Sequence, residues 1–474
     1  MSGPAGDPPP GDPPPGDPPP GDPPPGDPPP REPPPREPLP ADPVEGAGEV
    51  AEPVPAPVRR RGWAIDTSPL RNPGYRRLFW GVTATMIGQQ MTLVAVPFQV
   101  YALTRDSLLV GVTSIVALVP LVVFGLLGGS IADAMDRRTL MIVTGVGSAV
   151  TSALLVAQAL LPGGGNLWLL WVLAAAVSGF TAVNQPARSA VIPALVGPEG
   201  VPAANALAMT VRQAGVIVGP LLAGVLIGAG DLFLAYVVDA VTLVVAVVLL
   251  RGLPPLPPGG RTGPLRLGAA VRGVGEGFAF LRTQPVLLMT FVVDVIAMLF
   301  AWPQAVFPEL SEGRYAGSPN SLGWLYAGVS IGALLMGLTS GWVSRVDRQG
   351  AVVLAAIVVW GLAIVGFGLA PSLWLAVLCL AVAGAGDMVS AVLRSSMLQT
   401  AAPDEMRGRM QGVFLVVVAG GPRLGDLRAG AVASAAGVGV AMVSGGVVIV
   451  VAMVVVALLV PSFLHFRASQ VVAR

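Results

Sequence analysis

Seven ionisable side chains fall inside long apolar runs: Arg212, Asp239, Asp294, Asp387, Arg423, Asp426 and Arg428. A charge at the centre of a membrane helix costs roughly 2.5 to 3.5 kcal/mol on insertion scales. Each must therefore face a cavity, meet an opposite charge or, for an aspartate, hold a proton. These are the fates required for moving solutes and protons through a bilayer. Arg212, Asp294, Asp387, Arg423 and Asp426 are accordingly candidates for a substrate or proton pathway, with Asp294 and Asp426 favoured for coupling. Arg423 and Asp426 are three apart and share a helix face, so they could also neutralise each other. Asp239 and Asp387 could lie near helix ends. Gln89, Gln90 and Asn184 add neutral amides that can bind a solute or bridge helices but cannot carry a proton. The chain has one histidine (His465), one cysteine (Cys379) and no lysine. No metal cluster, nucleotide loop or His-, Cys- or Ser-centred catalytic set can be assembled, so no metal, no cofactor and no enzymatic activity is expected.

The elements that must position these residues are visible in composition. Apolar residues make up 53% of the chain and charged residues 12%, against about a quarter charged in a soluble domain. Twelve apolar runs of about 20 residues, most without a polar face at helical period, predict an all-α membrane protein with twelve transmembrane helices. All 28 basic residues are arginine, and with the N-terminus inside only Arg105 and Arg314 fall in outer loops. The positive-inside rule then predicts a multi-pass plasma (inner) membrane protein with cytoplasmic termini. Trp168, Trp302, Trp324 and Trp374 fall near outer ends and Trp80 and Trp342 near inner ends, as in aromatic belts. The net charge of +1 reflects no excess of basic charge, and no nucleic-acid partner is expected.

Residues 1–70 differ in kind. Gly-Asp-Pro-Pro-Pro repeats from Gly6 to Pro30 favour extended polyproline II and cannot bury a core, which predicts a disordered cytoplasmic tail. An N-terminal half is expected over 71–251, a cytoplasmic central loop over 252–284, a C-terminal half over 285–466 and a short tail over 467–474. Within the central loop, Leu265 to Leu281 reads as an amphipathic surface helix with Arg266, Arg272 and Glu276 facing water.

Two loops echo each other across the halves. Gly129-Ser-Ile-Ala-Asp133-Ala-Met-Asp136-Arg137-Arg138 follows the second run, and Gly341-Trp-Val-Ser-Arg345-Val-Asp347-Arg348 follows the eighth. Arg188-Ser189 after the fourth run likewise matches Arg394-Ser395 after the tenth. Two six-helix halves with matching loops are the pattern of an internally repeated transporter. In the fifth run Gly215, Gly219, Pro220 and Gly224 space small residues four apart around a helix-bending proline, which permits close helix approach.

The loop at Gly129 to Arg138 resembles the G-x-x-x-D-x-x-G-R-R loop of the major facilitator superfamily, and Asp136 in place of glycine resembles its drug:proton antiporter group 3. The resemblance implies two pseudo-symmetric six-helix halves and a monomer. It also implies a conformational switch role for Gly129, Asp133, Asp136, Arg137 and Arg138, with Asp133 meeting the start of the eleventh helix near Arg407 and Arg409. The Gly-Pro span resembles the motif of exporters in that superfamily. Val94-Ala-Val-Pro-Phe-Gln99, Leu325-Tyr-Ala-Gly328, Ser340-Gly341, Met397-Leu-Gln-Thr400, Pro403 and Gly408-Arg409 resemble its siderophore-exporting members and imply a catechol-type cargo. Many drug exporters carry an acid where Gln89-Gln90 stand, so a proton site on the first helix is not implied.

The expected function is export of a siderophore or related hydrophobic molecule by proton antiport and alternating access. The partners are then a small-molecule substrate, a proton and the lipid bilayer. A broad multidrug exporter is the alternative with the same machinery. An importer or lipid flippase is an alternative of another class, which the Gly-Pro span disfavours.

Overall fold

Polar caps and prolines divide the apolar runs into helices. In the computed structural model the described residues are 66–257, 267–318, 320–401 and 407–467; the expected N-terminal tail up to residue 65 and the extreme C-terminus lie outside them. Helix α1 (Pro73–Thr104) starts where Asn72 accepts from the amides of Gly74 at 2.8 Å and Tyr75 at 3.2 Å. Asp106 caps α2 (Ser107–Ala134) through the Leu108 amide at 2.8 Å, and Asp136 caps α3 (Arg137–Ala159) through the Thr139 amide at 2.8 Å. Each cap satisfies amides that the first helical turn leaves without a partner.

Helix α4 (Leu167–Gly228) runs for 62 residues, roughly 93 Å at helical rise and far more than one bilayer crossing needs. It is interrupted at Gly197, whose φ of 71° and ψ of 167° suit glycine alone, and Pro198 then lacks the amide to continue the ladder. A single glycine thus does the work of the loop expected between the fourth and fifth spans. The N-terminal half closes with α5 (Leu232–Arg251).

Amphipathic α6 (Leu267–Thr283) connects the halves, with Arg272 and Glu276 exposed; Arg266 lies outside the described residues. The second half comprises α7 (Pro285–Ala301), short α8 (Phe307–Glu312), α9 (Ser321–Leu338), α10 (Gln349–Leu369), α11 (Leu373–Ala401), α12 (Arg407–Ala436) and α13 (Val438–Leu459), followed by short α14 (Pro461–Leu464).

Among the described residues nine helices are long and apolar enough to cross a membrane. One of them, α4, crosses twice. Helices α1 and α12 are as long but carry polar residues at mid-depth, and they complete twelve crossings in two pseudo-symmetric six-helix halves. The outward faces are apolar: Val143, Val146, Val150 and Leu154 on α3, and Val447, Val451, Val454 and Leu458 on α13, are exposed at helical spacing. Such stripes are stable only against lipid, and the helices satisfy their own backbones there.

The halves meet through α2 against α12 and α4 against α9. A Cβ on Gly111 would come 2.6 Å from the Asp426 carbonyl oxygen, and one on Gly430 would collide with the Ser107 carbonyl. The backbones touch there because neither residue has a side chain. Arg105 pairs with Glu312, Ser107 bonds to Glu309, and the Asn320 amide donates to the Leu221 carbonyl at 3.1 Å. Among the described residues the polar contacts between the halves gather toward this arginine-poor end.

Candidate transport site

Three cavities share lining residues. One, about 390 Å³, lies between the halves and is lined by Gln89, Pro97, Trp302, Pro422, Arg423 and Asp426 among others. Trp302 and Pro422 also line a second cavity of about 380 Å³ with Asp294, Asp387, Arg394 and Arg212. Arg212 in turn lines a third, of about 270 Å³, with Arg188, Asn205, Met209, Phe79 and Met86. Trp302 stacks on Trp360 at 6.1 Å between ring centres. It is therefore a cavity residue and not the belt residue expected from its place near a helix end. Trp168, Trp374 and Trp80 do face outward.

The second half compensates Arg394 with two acids. Arg394 meets Asp294 at 2.6 Å and approaches Asp387 at 3.9 Å, and its Nε donates to Ser390 at 3.0 Å. Arg394, expected after the tenth span, lies inside α11, and its partner Asp294 comes from α7. The missed signal is the seven-residue spacing from Asp387 to Arg394, two helical turns on one face.

Asp426 is 5% exposed and belongs to the contact between the halves. It accepts from the Ser114 hydroxyl at 2.7 Å, across the halves, and from the Ala305 amide at 3.0 Å. Arg423 donates to the Ala419 carbonyl of its own helix at 3.2 Å, so the two do not form the mutual pair their spacing allowed. Arg428 ties α12 to its neighbours by donating to the carbonyls of Phe300 at 2.9 Å and Ala441 at 2.7 Å. That role is structural.

The first half is arranged differently. Asp239, 1% exposed, sits mid-helix in α5 and not near a helix end. The hydroxyls of Thr92 at 2.9 Å and Ser152 at 3.0 Å both donate to its Oδ2, and Oδ1 has no partner. No cation pairs with it among the described residues. Asn184 donates to Thr144 at 2.8 Å, which makes it a bridge between α4 and α3 as well as a lining residue. Gln90 packs its stem against Gly219 while Gln89 faces the cavities. Arg188, expected in a loop, lies inside α4; its one described polar contact is to Gln185 at 3.4 Å.

The motif in the fifth span works by proximity. Gly215 and Gly219 face Met86 and Gln90 of α1, and Gly224, beyond the helix-bending Pro220, faces Asn320 and Gly323 at the foot of α9. It seats α4 against both halves.

At the junction of α2 and α3 the two aspartates, Asp133 in the last turn of α2 and Asp136 capping α3, divide the work. Asp136 accepts from the Thr139 amide and hydroxyl and, through its other oxygen, from the Leu256 amide at 2.8 Å. Burial pushes its carboxyl up, but these bonds and nearby Arg138 outweigh that and hold it below its ordinary value. Arg138 also donates to the Arg251 carbonyl. Asp133 is half exposed and lies 3.8 Å from Arg137; the side chains of its expected partners Arg407 and Arg409 lie outside the described residues. Gly129 has open space around it. In the second copy Asp347 reaches Arg467 at 3.9 Å. Each copy therefore ties its loop to the segment following the last span of its own half.

Two six-helix halves around shared cavities, bridged by Arg105–Glu312 and Ser107–Glu309, define a membrane transporter. The chain belongs to the transmembrane secretion effector family of the major facilitator superfamily, whose model matches residues 64–469. It is 28% identical over 405 residues to the enterobactin exporter EntS of Shigella boydii serotype 4 (strain Sb227), covering 84% of this chain and 96% of that one. Against EntS of Escherichia coli (strain K12) identity is 28% over 414 residues, 87% and 98% of the two chains. The fold is shared with the nucleoside transporter NupG (TM-score 0.66, 15% identity, 83% of this chain and 99% of that one). It is also shared with the human organic anion transporter MFSD10 (TM-score 0.54, 16% identity, 81% and 98%).

Proposed function

We propose that this protein exports a catechol-type siderophore, oxygen-rich and anionic, across the inner membrane by alternating access coupled to proton antiport. The observation that carries this reading is the row of cavities joined by Arg212, Trp302 and Pro422. Their walls combine guanidiniums for oxygen anions with an aromatic ring for catechols. Similarity to enterobactin exporters over most of both chains supports the cargo class.

The arginine-rich end is the cytoplasmic end in this reading, and both termini are cytoplasmic. Closure at the Arg105–Glu312 end then corresponds to the state that loads cargo from the cytoplasm. Asp294, Asp387 and Asp426 lie on the path where a proton must pass. The protein works as a monomer and catalyses no covalent chemistry. A broader multidrug range is the second reading, favoured by the apolar Met298, Phe414 and Val418 in the cavity wall.

Deletion of the gene is expected to leave a catecholate inside the cell and deplete it from the medium, with restoration by the intact chain. Everted vesicles should accumulate that catecholate only under an inward-acid pH gradient. Unchanged secretion by the deletion strain, or uptake of the catecholate by intact cells through this protein, overturns export. Protection against unrelated drugs without any catecholate phenotype selects the multidrug reading.

A further inference from the structure

We propose that Arg188 and Arg212 form a binding site for the negative charge of the cargo, one carboxylate or catecholate unit, in the cavity between α1 and α4. The site deepens the exporter reading and rests on it for the identity of the ligand, but its charge chemistry follows from the internal repeat.

Arg188 and Arg394 stand 206 positions apart, and so do Thr181 and Asp387; Gln89 and Asp294 stand 205 apart. The second half uses this trio to compensate a cation, with Asp294 at 2.6 Å and Asp387 at 3.9 Å from Arg394. The first half keeps the arginine and replaces both acids by neutral residues. Gln89, Thr181 and Arg188 line one small cavity together, so the counterpart trio is assembled in space.

Arg188 also reaches the neighbouring cavity, where Arg212 joins it. Among the described residues neither arginine has a carboxylate within ion-pairing distance. Arg188 is partly buried and Arg212 stands exposed beside it on the cavity wall; a partly buried guanidinium with no acid partner favours a counter-charge, and a mobile anion entering this cavity can supply it. The cavity suits an aromatic anion. Tyr75, Phe79, Met86 and Met209 line it, and Asn205 adds a neutral hydrogen-bonding group. At about 270 Å³ it falls just below the roughly 300 Å³ of sites for drug-sized ligands, enough for one catechol acid unit of a larger cargo.

The test is calorimetric binding of 2,3-dihydroxybenzoate and its uncharged amide to the purified full chain in zwitterionic nanodiscs, where no anionic headgroup competes. The intact protein should prefer the acid. Arg188→Gln should weaken acid binding by about tenfold or more and amide binding by less than about twofold. Gln89→Glu restores the carboxylate that the other half carries. It should weaken the acid to a similar degree with both arginines still present, so the test stands even if Arg188→Gln does not fold. Equal affinity of the intact protein for acid and amide, or unchanged acid binding in Gln89→Glu, overturns the site. Since no gradient is involved, loss of the site leaves the efflux result standing, and absence of efflux leaves the site standing.

Discussion

The same arginine has two environments in the two halves of this protein. Arg394 is held between Asp294 and Asp387, and Arg188 looks onto Gln89 and Thr181. The second half also stores Arg428 among backbone carbonyls, whereas the first buries Asp239 with hydroxyls and no cation. The second half compensates one arginine with two acids, while its Asp426 and Arg423 rest on hydroxyl, amide and carbonyl groups. The other carries an uncompensated anion deep in its core and uncompensated cations on its cavity wall. An internal repeat can therefore keep its helices while placing a matching arginine in two different electrostatic settings.

The most damaging test of this contrast is Arg394→Gln, which leaves Asp294 and Asp387 facing one another without a cation. Losing one partner of a buried pair costs about 3 to 5 kcal/mol, and thermal unfolding in detergent should show it. Adding Asp294→Asn should recover most of the loss. Arg188→Gln should cost less than about 1 kcal/mol in the same assay, because it removes no ion pair. Equal costs for the two arginines would erase the asymmetry.

A smaller effect is expected where the halves touch. Gly430→Ala places a methyl group against the Ser107 carbonyl, and overpacking of this kind costs about 1 to 3 kcal/mol. Cysteines introduced at the Arg105 end should crosslink more slowly in this variant, as closure is weakened.

Between the two loop aspartates, Asp136→Ala should cost about 1 to 2 kcal/mol through the lost cap and the lost Leu256 contact. Asp133→Asn should cost less than about 0.5 kcal/mol, as an exposed pair does. The pH dependence has a definite sign. A carboxyl held below its ordinary value stabilises fully above its unfolded pKa of about 3.9 and loses that contribution as pH falls through the lower folded value. The stability gap between the intact protein and Asp136→Asn should thus be constant above about pH 5 and close only in acid. A gap that varies near neutrality would exclude Asp136 as its source.

A small stability change is expected at Asp239→Asn, less than about 1 kcal/mol, since an amide oxygen still accepts from Thr92 and Ser152. If Asp239 takes up the transported proton, this variant flattens the pH dependence of efflux. An unchanged profile leaves coupling with Asp294, Asp387 or Asp426.

Much of this architecture was legible in advance. Apolar runs and the glycine spacing at Gly215 to Gly224 act over a few residues. The sequence therefore reveals twelve crossings and the repeat. The buried acids and guanidiniums were also recognisable as candidates, because charge in an apolar run always needs a reason. Their partners were not recognisable. An apolar run does not mark the depth at which its helix ends, so the sequence alone points Arg394 to a loop and Trp302 to a belt.

By itself the sequence determined the membrane fold, its two halves and the residue types available to bind charge, since hydropathy, capping and glycine approach are local or periodic properties of a chain. Only the tertiary structure decided that Asp294 answers Arg394 across 100 positions, that Asp426 bonds to Ser114 and not Arg423, and that Arg188 is left without an acid. Those pairings depend on which faces of distant helices meet, and a charge settles with whatever partner the packing brings within a few ångströms.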